Sequence, residues 1–280
     1  MDNINRTIFG SHLQTCLLMK LAYEVLANST LNERFSIQQG VMPAKGELPD
    51  FGYFVIGNGG HKFTMTASGR SKPEPIQHLG TDASCFEPLP FVLREAANDL
   101  SPEERAKYGL RRSEIHGGRP YFAYYARRID KSNIKAIPQV ITVRDGVESV
   151  KPFVPTSENL NPVPQNLSPT GVNTVKGDNV SVSAKMALIL SESEINEIKN
   201  ACKVLFDDEE LAIISEVGLV SGVDKWVTSP GPNNSTINQN EIIAAQIISF
   251  VLAFYPLVYL NKECEILLDV GATEPLFNLE

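Results

Sequence analysis

The sequence predicts an α+β protein dominated by sheet, with β-rich, sandwich-like layers, a few amphipathic helices and long loops rich in proline and glycine. Three observations carry this expectation. Val180, Val182, Ala184, Met186, Leu188 and Leu190 fall on one strand face while Ser181, Ser183 and Lys185 fall on the other, the two-residue period of a half-buried strand. Aromatic and β-branched runs at Phe51–Ile56 and Tyr121–Ile129 are bounded by turn residues. Ser191 followed by Glu194 forms a capping-box signature ahead of Ile195, Ile198, Cys202 and Leu205 at helical spacing.

In chain order, Ser11–Ala27 reads as an amphipathic helix, with Leu13, Leu17, Leu21 and Val25 at steps of four and Ser11 placed as its cap. Phe51–Ile56 reads as a strand, Asn58-Gly59-Gly60 as a turn, and Lys62–Thr66 as the return strand of a hairpin. Gly69–Pro90 has four prolines and little periodicity, so it reads as a long functional or interacting loop. Ser101-Pro102-Glu103-Glu104 is a helix start, with a serine cap, proline at the first helical position and acids in the first turn. Tyr121–Ile129 carries aromatic side chains on both faces and is expected to be a central or covered strand. Pro138–Val143 with Arg144-Asp145-Gly146-Val147 reads as a strand, a turn and a second strand.

Leu211–Val220 reads as a buried strand that leaves through a Ser221-Gly222 turn into a polar loop over Ser229–Asn240. Glu241–Phe254 reads as a helix stopped before Pro256, and Glu265–Val270 as a final strand. These elements divide the chain into an N-terminal region (1–151), a proline-rich linker or arm (152–177) and a C-terminal α+β domain (178–280).

The formal net charge is −8, which argues against gripping nucleic acid, because that needs a concentrated positive surface. The basic clusters at Lys107–Arg112 and Arg127–Arg128 are short and read as solvated faces or structural ion pairs. The four cysteines, Cys16, Cys85, Cys202 and Cys264, stand far apart without zinc spacing and read as buried free thiols. No basic stretch leading into an apolar one opens the sequence, so no signal peptide is expected. The apolar segment Ile242–Leu260 is interrupted by Gln246, Ser249 and Pro256, and a helix-plus-strand reading explains it without a membrane.

Candidate chemistry is sparse. Gly57–Lys62 lacks the spacing of a phosphate-binding loop, because His61 separates Gly60 from Lys62 and no helix begins there; a hairpin turn explains it. His12, His61, His78 and His116 have no ligand spacing, and no serine stands in a nucleophile-elbow pattern. No catalytic, metal or cofactor residue is therefore expected, and no cofactor. Glu216 is the sharpest single residue. A carboxylate inside an apolar strand must be hydrogen-bonded or paired if buried, with Arg127 or Arg128 as candidate partners in a subunit contact, or else it lies on the solvent side of an edge strand.

The run Ile214-Ser215-Glu216-Val217-Gly218-Leu219 resembles the IxEIGL-type strand of several tailed-phage tail and tail-fibre proteins. The wider order is similar to structural proteins of contractile-tailed phages, in size and layout most of all to baseplate wedge proteins. That resemblance implies a virion structural protein assembled in the host cytoplasm, with other copies of itself and other tail proteins as partners. It implies no enzyme, no nucleic acid and no membrane partner. The implied interface or structural residues are Glu216, Gly218, Gly222, Trp226, Arg127 and Arg128. A neck or collar protein is an alternative position. A receptor-binding adhesin using the 40–90 loops, or a cell-wall or glycan hydrolase, are alternatives of another class.

Overall fold

A computed structural model describes residues 4–162, 178–231, 235–259 and 262–275. In chain order the first elements are β1 (Ile4–Arg6), α1 (Ile8–Met19), α2 (Leu31–Phe35), β2 (Asp50–Gly57), β3 (His61–Met65), β4 (Ser71–Pro75), β5 (Pro88–Leu89) and β6 (Val92–Glu95). Next come α3 (Pro102–Arg105), β7 (Tyr108–His116), β8 (Arg119–Arg128), β9 (Ala136–Arg144), β10 (Val147–Pro152) and β11 (Asp178–Leu190). The last are α4 (Glu192–Phe206), β12 (Ile213–Pro230), β13 (Thr236–Pro256) and β14 (Cys264–Pro275). The protein is β-rich α+β, as its sequence predicts.

Two compact units are present, Met1–Asp130 with Leu190–Cys264, and Lys131–Ile189 with Glu265–Glu280. The units therefore do not obey the sequential division at 151 and 178. The reason is pairing: the β9–β10 hairpin hydrogen-bonds to β11 and so leaves the N-terminal region. Of the proline-rich arm, residues 163–177 lie outside the described residues.

Unit 1 is built on one sheet in the order β1-β13-β12-β2-β8-β6, with β5 also on β2 and β7 also on β8. Its backbone is the β12–β13 hairpin, 18 residues paired to 21. β2 covers β12 only from Glu216 to Gly222, so among the described residues the far half of the hairpin pairs with itself alone. The core gathers Phe35, Tyr53, Leu110, Tyr125, Val220, Ile242 and Phe250, all buried.

Several expectations change here. Glu241–Phe254 is strand, not helix. Its Ile242-Ile243 and Ile247-Ile248 pairs are β-branched, residues 241–247 are all buried, and a long run of cross-strand partners outweighs a helical period in apolar residues. Ser221-Gly222 continues β12 rather than making an exit turn, opposite a bulge whose extra residue lies on β13, and the strand runs on to Pro230. Across from it, Ala244 takes a left-handed conformation (φ 52°), and Asn32 satisfies the displaced backbone by accepting from Ala245 N–H and donating to Ile242 O, both at 2.9 Å. α1 is shifted, starting from a Thr7 cap and ending where Lys20 turns left-handed (φ 53°). Leu21 and Val25 therefore leave the helix. β3 pairs with β4, not with β2, so the expected hairpin across 58–60 does not form.

Other elements stand as read. α4 is capped by Ser191 with Glu194 closing the capping box, and α3 by Ser101 with Glu104 in the same way. β8 is covered as its two-sided aromatic pattern requires, with β7 on one side and β6 and β2 on the other. All four cysteines are free and buried.

Unit 2 is a four-stranded sheet in the order β10-β9-β11-β14. The Asp145-Gly146 turn joining β9 to β10 has φ of 51° and 77°, the two positive values a two-residue hairpin requires. Met186, Leu188, Ile266 and Leu268 are buried, whereas every residue of β10 is exposed.

Candidate functional site

Glu216 sits near the start of β12, an interior strand, with its side chain wholly buried. The solvent-side alternative is thereby removed, and so is the expected arginine partner. The carboxylate instead receives two segments that cross over β12, the turn after β2 (57–60) and the strap between β4 and β5 (76–87). Oε1 accepts the backbone N–H of Gly59 and of Glu87, each at 3.1 Å. Oε2 accepts the N–H of Phe86 at 3.0 Å and lies 2.6 Å from His78 Nε2.

The other ring nitrogen of His78 lies 2.9 Å from Asp82 Oδ2, which also accepts the Leu79 N–H at 2.9 Å. Each nitrogen–oxygen line therefore needs its own proton, two in all for the ring and its two carboxylates. The imidazole is stacked between Phe86 (centroids 4.1 Å) and Phe250 (3.6 Å), both planes within 8° of its own. His78 and Glu216 have no exposed side-chain surface, and Asp82 is the member that meets solvent, at 25%.

The glycines of Gly57-Asn58-Gly59-Gly60 now have a reason. A Cβ on Gly57 would stand 2.4 Å from Glu216 Oε1 and 2.6 Å from Glu87 O, and one on Gly60 would stand 2.4 Å from Ser215 O. The motif is a cradle for a carboxylate rather than a hairpin turn or a phosphate loop. Burial and the nearby Glu216 push the Cys85 thiol well above its ordinary range, so it does not supply a thiolate near Glu216. Burial lowers His61, whose ring packs edge-on against Phe63 and Phe254. Chemically, the array has the parts of a proton relay, but its inner members are sealed. What it does visibly is fasten two loops to the central strand.

The remaining residues singled out from the sequence fall elsewhere in unit 1. Arg127 Nε donates to Glu194 at 2.7 Å. Arg128 donates to both oxygens of Asp224 at 2.6 and 2.7 Å, to the Tyr53 hydroxyl at 2.8 Å and to Asn240 O at 3.0 Å. Gly218 and Gly222 are close-packing positions, where a Cβ would strike the side chains of Val55 and Ile242 respectively. Trp226 is 74% exposed on the far half of the hairpin. Sequence reasoning set His78 aside for want of ligand spacing and did not single out Asp82, because nothing local marks either as a partner of Glu216. The available signal was Glu216 itself, an acid among apolar neighbours that called for a partner.

Among the described residues no three His, Cys, Asp or Glu side chains gather as metal ligands, and no helix is long and apolar enough to cross a membrane. No curated protein and no solved structure matches the chain. A family defined only as one of unknown function matches it from residue 1 to residue 280, and the chain therefore belongs to that family, DUF7208.

Proposed function

We propose that this chain is a structural component of a phage tail, placed in the baseplate wedge, acting through interfaces with other copies of itself and with other tail proteins and not by catalysis. The observation that carries the reading is the single sheet of unit 2. Its edge strand β10 is exposed at all six residues, and Val147 (69%), Val182 (49%) and Leu267 (69%) stand open on its strands. Exposed apolar surface of this kind marks an interaction site, and an unpaired strand edge is a template for pairing with another chain. Interfaces in permanent assemblies are large and apolar. The Ile214–Leu219 strand supplies the resemblance to tail proteins, and in the fold it is a structural strand holding loops in place.

Antibody labelling of particles from infected cells tests this, read by negative-stain imaging together with the copy number of the chain in purified particles. Label at the baseplate at a fixed stoichiometry is the expected result. Label at the neck would move its position while keeping its structural role, and particles without the chain would overturn the proposal.

A further inference from the structure

Where α4 crosses β6 and the start of β8, unit 1 opens into a cleft of about 480 Å³. Its walls carry Arg94, Glu95, Asn98, Asp99, Tyr121 and Asn200. The charged groups among them are already engaged. Arg94 Nε donates to both oxygens of Glu197 at 3.2 Å. Asp99 accepts from Arg105 at 3.0 Å and from Arg111 at 2.9 Å, and Glu95 accepts from Arg119 at 2.7 Å. The neutral groups are less engaged. The Asn98 amide and the Tyr121 hydroxyl have no protein hydrogen-bond partner among the described residues, and Asn200 uses only its Nδ2, towards Leu93 O at 3.4 Å.

We propose that this cleft binds a neutral saccharide. Its volume lies in the range of small-molecule sites, roughly 300–1,000 Å³. Arg94 keeps only Nη1 free beside its pair with Glu197, and Asp99 and Glu95 each already hold an arginine, so a charged ligand would meet groups whose charge is already largely matched. A purely apolar ligand would leave the Asn98 amide, the Asn200 Oδ1 and the Tyr121 hydroxyl unpaired as it covered them. Sugar hydroxyls donate and accept together, which matches primary amides and a tyrosine hydroxyl. The site uses none of the surface argued for assembly, so its presence or absence is independent of a place in a phage tail.

The test is saturation-transfer NMR on the full chain, with maltotriose, chitotriose and mannotriose as neutral probes and sialyllactose as an acidic one. At least one neutral trisaccharide should bind with a Kd near or below about 1 mM, weakened roughly tenfold or more by Asn98→Ala and by Tyr121→Ala. Asn98 is exposed, so its variant keeps the fold, and unchanged thermal unfolding confirms this. Trp226→Ala should bind as the parent does. The proposal is overturned if no neutral probe binds at about 10 mM, if sialyllactose alone binds, or if binding survives Asn98→Ala.

Discussion

The two units solve the problem of a sheet differently. In unit 1 the central strands are buried on both faces, and their one interior acid is met by three backbone N–H groups and an imidazole. In unit 2 a single sheet leaves valines, isoleucines and a leucine in water along its strands. The contrast teaches that unit 1 is specified from within, by partners its own chain supplies. Unit 2 carries less internal constraint and leaves more surface for others.

The largest test of that contrast is Glu216→Ala. It leaves His78 and three N–H groups without an acceptor inside a sealed space, and breaking a buried charged pair costs about 3–5 kcal/mol. Urea unfolding should show a loss of that size, and a change below about 1 kcal/mol would mean that the carboxylate fastens nothing. Gly57→Ala attacks the same node from the other side. The added methyl meets a carboxylate oxygen and a carbonyl at once, and overpacking of this sort costs about 1–3 kcal/mol.

Two further carboxylates of unit 1 should respond to pH in opposite senses. Burial alone would raise Glu194, but the Ser191 N–H, the Arg127 guanidinium and the Ser191 hydroxyl together hold it below its ordinary value of 4.5. Its contribution is therefore present above that value and is lost as pH falls through the lowered one. Burial raises Glu241 against the amides of Gln38 and Gln239, the Ser229 hydroxyl and the charge of Arg111. Its contribution is present below its ordinary 4.5 and is lost as pH rises through the raised value. Unfolding measured from acid to neutral pH should thus show a shallower acid-side decline in Glu194→Gln than in the parent. An unchanged profile would remove the Arg127–Glu194 pair from the stability of the fold.

The smallest effect on folding belongs to unit 2. Val150→Thr, on the exposed edge strand, should change unfolding free energy by no more than about 0.5 kcal/mol. Under the role proposed above, as a tail component, it should nonetheless lower the copy number of the chain in purified particles. A large loss of stability in the isolated chain would show that the face is already covered.

Much of this architecture was legible in the residues. Capping boxes at Ser101 and Ser191 use neighbours three positions apart, and the alternation over β11 is equally local, so both can be read without knowing the fold. β13 was not legible as a strand, because a strand buried on both faces loses its two-residue alternation and its apolar residues also fit a helical period. Of the candidate site, Glu216 was visible as an acid in an apolar run, but its partner lies 138 residues away in a proline-rich stretch with no period at all. A buried ion partner is set by where loops cross, and that is decided only when distant strands have paired.

The first strand has a consequence for how the chain is made. β1 hydrogen-bonds along β13, register Ile4↔Val251, and Ser249 Oγ donates to Asn5 O across 244 residues of sequence. A ribosome adds on the order of 5–20 residues per second, so the N-terminal edge waits many seconds for its partner. During that wait the strand segment and the apolar side of α1 have no native place to go. Non-local pairing of this kind also folds slowly once the chain is complete. Assembly of the outermost strand is thus a late event, and the sheet's growth is timed by synthesis of its far end.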